Sequence, residues 1–138
     1  MAAHSFDYAV IRVVPRVDRD EFINAGVVLY CRALDFLGAR VALDRGRLLA
    51  FVPAAASEID LDELDRALAM IPRICAGDAS AGPIAALPQA DRFHWLVAPR
   101  STIAQVSPVH SGLCADPAAM LLHLFDRMVR APAAPAPA

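Results

Sequence analysis

The sequence contains no lysine, so all thirteen of its basic residues are arginine. Fifteen acidic residues outnumber them, the formal net charge is −2, and the arginines are scattered along the chain among the acids. Proteins that bind nucleic acid usually carry a basic excess that neutralises phosphates. We therefore expect no nucleic-acid partner.

Cysteine is scarce, and Cys31, Cys75 and Cys114 lie far apart with no C-x-x-C spacing. The four histidines also lack the close spacings of paired metal ligands; they are His4, His94, His110 and His123. Disulfide frameworks and zinc sites depend on such spacings. We expect a reduced, cytoplasmic protein that holds no metal and needs no cofactor.

Long apolar runs are also missing, because none approaches the roughly 20 residues that cross a bilayer. The N-terminus has no basic segment followed by a long apolar core, so we expect neither export nor membrane insertion. A chain of 138 residues is sufficient for one domain, which we place at residues 1–130. Residues 131–138 contain only proline and alanine, and this composition predicts a disordered tail.

Runs rich in β-branched residues predict the strands. Two of these runs are apolar at nearly every position, which is typical of strands covered on both faces. These two central strands are predicted at residues 8–15 and 25–32. The remaining predicted strands are a hairpin of residues 39–44 with 47–53, and the segments 92–99 and 101–109.

Apolar residues at helical spacing predict two helices. The first begins near Ser57 and ends between Ile71 and Cys75, because Pro72 removes a backbone donor and crowds the preceding turn. Residues 76–90, rich in glycine, proline and small side chains, have the composition of a surface loop.

The second helix begins after Asp116, a capping acid that is followed by Pro117, and runs to about Arg130. Together these elements predict a single α+β domain with a largely antiparallel sheet of five or six strands. We expect two helices packed on the sheet and one open sheet edge or face.

A first group of polar residues surrounds the start of the second predicted strand. Asn24 and Gly26 can turn the chain without any chemistry, because both residue types tolerate unusual backbone conformations. Arg12 interrupts an apolar strand and needs a partner, for which Glu21 is the first candidate. The alternative makes Glu21 a general base beside Asn24 and Arg12 in a cleft.

A second group contains Ser107 and His110 and is preceded by Arg100. A serine near a histidine could serve hydrolysis, but no G-x-S-x-G elbow is present and sequence adjacency does not establish a triad. The simpler interpretation makes His110 a hydrogen-bonding strut of the loop before the second helix.

Three stretches carry a resemblance to a known family: YAVIRVVPRVDRDEFINAGVVLYC, DRFHWLVAPRSTIAQVSPVHSGLCADP and LFDRMV. The chain resembles the bacterial domain of unknown function 3037, over nearly its whole length except the tail. The resemblance implies no established activity. It does imply a partner protein, because members resemble companions of HipA-like kinases encoded nearby.

The sequence therefore leaves two functions open. The first is a non-catalytic interaction module that docks another bacterial protein, with a HipA-like kinase as candidate, through a sheet edge or through residues 76–90. A homodimer is compatible with this hypothesis. The alternative is a small hydrolytic enzyme that uses Glu21, His110 and Arg100.

Overall fold

A computed structural model describes residues 2–100 and 102–130, and the predicted tail lies outside these residues. Its centre is a five-stranded antiparallel sheet in which β3, β2 and β1 are adjacent in that order. The other side of β1 pairs with β5 and then with β4. The strands are β1 (His4–Arg16), β2 (Glu21–Cys31), β3 (Phe36–Val41), β4 (Ala104–Val106) and β5 (His110–Cys114). The predicted α+β class is confirmed.

Helices cover both faces of the sheet. Helices α1 to α4 contribute to the core on one face, and α5 contributes to a separate core on the other. No helix in the described residues has the length and apolarity needed to cross a membrane. The helices are α1 (Arg45–Phe51), α2 (Ala55–Glu58), α3 (Leu61–Cys75), α4 (Gln89–Leu96) and α5 (Pro117–Met128).

The two central strands β1 and β2 are those predicted from their continuous apolar character. Ile11 and Val28 pack into the core under α1 to α4, whereas Val27 and Leu29 pack into the core under α5. Side chains of neighbouring strand positions point to opposite faces, so both faces of each strand need apolar residues. The prediction that these strands are central is confirmed, and both extend beyond the predicted bounds.

Capping residues explain the two helices that the sequence predicts. Asp60 accepts a hydrogen bond from the Glu63 amide at the start of α3, and Asp116 caps α5 in the same manner. Helix α3 continues past Pro72 for one further turn and ends at Cys75, within the predicted interval. Helix α5 ends at Met128.

Two predicted strands are wrong, because residues 47–53 and 92–99 lie largely in α1 and α4. The side chain of Asp44 accepts a hydrogen bond from the Arg47 amide and caps α1, and Leu48 is the residue of α1 that is buried. In α4, Phe93 and Leu96 are buried at a spacing of three, which a helix places on one side. Five α-helices therefore occur in the described residues where two were expected.

The predicted strand at residues 101–109 shortens to β4, and Ser101 lies outside the described residues. Residues 110–114, expected to form a loop, form β5. The short sequence HSGLC has one large apolar residue and gives little strand signal. Backbone pairing with β1 holds this segment in the extended conformation of a strand.

Gly26 lies where β2 approaches β3 closely. A Cβ atom built on Gly26 would be 2.8 Å from the Arg40 carbonyl oxygen and 2.9 Å from Val41 Cγ1. The β1–β2 register shifts beside it, because Ile11 lies opposite Gly26 and Arg12 lies opposite Asn24. The glycine is thus required for packing between strands.

We expect Gly26→Ala to lower the free energy of unfolding by about 1–3 kcal/mol, because the added methyl group would clash with β3. Urea denaturation followed by circular dichroism measures the change. Gly46→Ala is the matched control, since its nearest atom would be 3.6 Å away and Gly46 lies in α1. The control should be neutral or stabilising, and equal losses for both variants would contradict this account.

Candidate docking site

Glu21 and His110, two of the three residues of the hydrolytic hypothesis, pair with well-separated positions of β1. His110 is opposite Tyr8, and Glu21 is opposite Arg16. Eight residues of strand separate these positions, a distance of roughly 26 Å. A carboxylate and an imidazole this far apart cannot act on the same bond.

Arg100, the third residue of that hypothesis, is engaged with α4. Its guanidinium donates a hydrogen bond of 2.9 Å to the Trp95 carbonyl oxygen and stacks over the Trp95 ring at 4.3 Å. Cation–π stacking of this kind holds the side chain against the protein surface. Glu21, His110 and Arg100 therefore do not come together in one site, as the hydrolytic alternative requires.

Arg12 and Glu21 do not form the pair expected from the sequence. Glu21 forms an exposed ion pair with Arg19, within the turn that joins β1 to β2. The Arg12 guanidinium lies over the Phe22 ring at 4.1 Å, and its Nε atom is buried without a hydrogen-bond partner in the described residues. The register explains the difference, because Arg12 lies opposite Asn24 while Glu21 lies opposite Arg16.

Asn24 and Ser107 are structural supports in separate parts of the sheet. Asn24 Nδ2 donates to the Met128 carbonyl oxygen at 2.8 Å and ties the end of α5 to β2. Ser107 is buried between β4 and β5, and its Oγ accepts a hydrogen bond from the Val10 amide at 2.8 Å. The same Oγ donates to the Pro108 carbonyl oxygen. The polar residues of the two groups singled out in the sequence are thus distributed along β1.

Thiol chemistry is disfavoured by burial. All three cysteines are buried. Burial raises the pKa of the Cys75 thiol to about 12, so this thiol stays protonated near neutral pH. Protonated, buried thiols are poor nucleophiles and poor metal ligands.

The outer edge of β5 is an exposed surface with the character of a docking site. In the described residues no backbone hydrogen bond reaches the side of β5 that faces away from β1. The strand carries no aspartate, glutamate, lysine or arginine, and the Leu113 side chain is 69% exposed. Proteins usually protect sheet edges with charges, proline or bulges, and β5 has no charge or proline.

A surface cavity of about 660 Å³ lies beside this edge, between the sheet and α4. Its polar and aromatic groups come from β1, β2, the turn after β2 and α4. They are Ser5, Asp7, Tyr30, Arg32 and His94. Ser111 of β5 donates a hydrogen bond of 2.6 Å to Asp7 Oδ1 and so links the edge strand to the cavity wall.

None of the cavity residues is recognisable as part of a site from the sequence alone. They come from three separate segments of the chain with no common spacing, and only the fold brings them together. The alternation of strand residues could have placed Ser5 and Asp7 on one face of β1, but nothing in the sequence places α4 over that face.

These features define a small α+β domain with dispersed structural polar residues and one uncharged, exposed sheet edge. The family model described as a protein of unknown function (DUF3037) matches residues 8–129 of 138, and the chain belongs to that family. The resemblance stated from the sequence is thereby confirmed. No curated protein and no solved structure matches the chain.

We expect Ser107→Ala to lower the free energy of unfolding by about 1–3 kcal/mol, because it leaves the buried Val10 amide without an acceptor. Thermal and urea unfolding measure the loss. Unchanged stability would contradict the role of Ser107 in joining β4 and β5 to β1.

We expect Glu21→Gln to change the free energy of unfolding by less than about 1 kcal/mol, since exposed ion pairs contribute little. The same unfolding curves measure this change. A loss as large as that expected for Ser107→Ala would show that Glu21 has a buried partner after all.

Proposed function

We propose that the chain is a non-catalytic protein-interaction module that binds an extended segment of another bacterial protein along the outer edge of β5. The observation that carries the proposal is the exposed edge of this strand, which has no acidic or basic side chain from Asp, Glu, Lys or Arg and which presents the exposed Leu113. The first partner to test is a HipA-like kinase, the partner class that the family resemblance implies.

Strand addition is the binding mode that fits such an edge. An extended segment that pairs with β5 gains main-chain hydrogen bonds, and alternate side chains supply specificity. Leu113 of β5 is 69% exposed, and Val109, just before the strand, is 44% exposed. A partner with apolar residues at matching positions would cover both.

Residues 76–90, the other docking region considered, are better explained as a structural segment. Ala81 and Ala85 of its two short 3-10 turns are buried in the core. Hydrogen bonds from Ser80 and Arg73 lower the pKa of Asp78 to about 2. These internal contacts engage Ala81, Ala85 and Asp78 within the fold.

The test is binding of the full chain to a purified HipA-like kinase encoded nearby in the same genome, measured by isothermal titration calorimetry. We expect binding by the wild type and at least about tenfold weaker binding by Leu113→Lys, because a charge on an edge strand opposes strand addition. Leu122→Lys, on an exposed position of α5, is the matched control and should bind as the wild type does.

Two outcomes would overturn the proposal. One is the absence of binding to the kinase. The other is equal binding by wild type and Leu113→Lys. Light scattering of the free chain tests whether the chain forms a homodimer. A dimer that Leu113→Lys dissociates would show that the edge of β5 binds a second copy of the chain.

A further inference from the structure

The cavity beside α4 contains charged groups of both signs that the protein itself leaves largely unpaired. In the described residues Arg32 and His94 form no ion pair and donate no side-chain hydrogen bond. Asp7 has one oxygen engaged by Ser111, and no partner is found for the other. A guanidinium and a carboxylate that share one cavity without neutralising each other are available to a ligand.

We propose that this cavity binds a small amphoteric molecule of the amino-acid class. The Arg32 guanidinium would bind the carboxylate, because its planar donors match the two oxygens of that group. The Asp7 carboxylate would accept hydrogen bonds from the ammonium group.

The remaining walls suit the rest of such a molecule. Tyr30 packs against Phe93 with ring centroids 5.2 Å apart, and this contact fixes an aromatic wall. Phe6, Ala33 and Ala90 supply apolar surface. A cavity of about 660 Å³ is within the roughly 300–1,000 Å³ range of small-molecule sites.

The opposite charges of Arg32 and Asp7 determine which class of ligand the cavity can bind. A simple anion would be repelled by Asp7, and a simple cation by Arg32, whereas an amino acid carries an ammonium and a carboxylate group on one carbon and can pair with both. This inference is independent of docking at the edge of β5, although the hydrogen bond between Ser111 and Asp7 joins the two surfaces.

The test is thermal unfolding of the full chain with each of the twenty free amino acids at 10 mM. We expect at least one amino acid to raise the Tm by about 4 °C or more. A ligand with a Kd of about 1 mM, present at 10 mM, stabilises the folded state by that amount. The N-acetyl and the carboxamide derivatives of that amino acid should each bind at least tenfold more weakly, because each removes one of the two charges.

Variants locate the site. We expect Arg32→Gln and Asp7→Asn each to weaken binding of the same amino acid at least tenfold, measured by calorimetry. Arg127→Gln, at an exposed position of α5, should bind as the wild type does. The inference fails if no amino acid raises the Tm, if the derivatives bind equally well, or if Arg32→Gln and Asp7→Asn bind like Arg127→Gln.

Discussion

Backbone hydrogen bonds along both edges of β1 hold the sheet together. One edge pairs with β2, which carries β3, and the other pairs with β5 and β4 in succession. Ser107 supports this arrangement where β4 gives way to β5, because its hydroxyl and its amide both bond to Val10. The sheet therefore keeps a continuous ladder on β1 although its outer edge is built from two short strands. The same construction leaves the outer side of β5 exposed.

The predictable part of the fold is the part with a strong local signal. Strands β1 and β2 have continuous apolar runs, and helices α3 and α5 have capping acids at Asp60 and Asp116. The apolar runs within α1 and α4 are short, and such runs fit a strand or a helix equally well by periodicity. The packing of Phe93 against Tyr30 favours a helix over a strand for α4. This contact joins parts of the chain that are far apart in sequence.

Site prediction from sequence had a similar limit. The residue types were reasonable, but grouping them required the register of β1, which separates Glu21 from His110. Arg12 stacks on Phe22 where a carboxylate partner was expected. The cavity was missed because its lining residues, which include Asp7 and Arg32, come from three separate segments of the chain. The polar residues that stood out in the sequence mainly support the fold, and the surfaces available for binding consist of residues that looked ordinary.

The central claim is that the outer edge of β5 is unpaired and available in the folded protein. Amide hydrogen exchange measured by NMR on the free chain tests it most directly, because exchange reports which amides are hydrogen-bonded. The account predicts slow exchange for the amides of Val10 and Ser107 and fast exchange for the β5 amides that point away from β1. Slow exchange of those outward amides in the monomer would mean that another part of the chain covers the edge, and it would contradict the account.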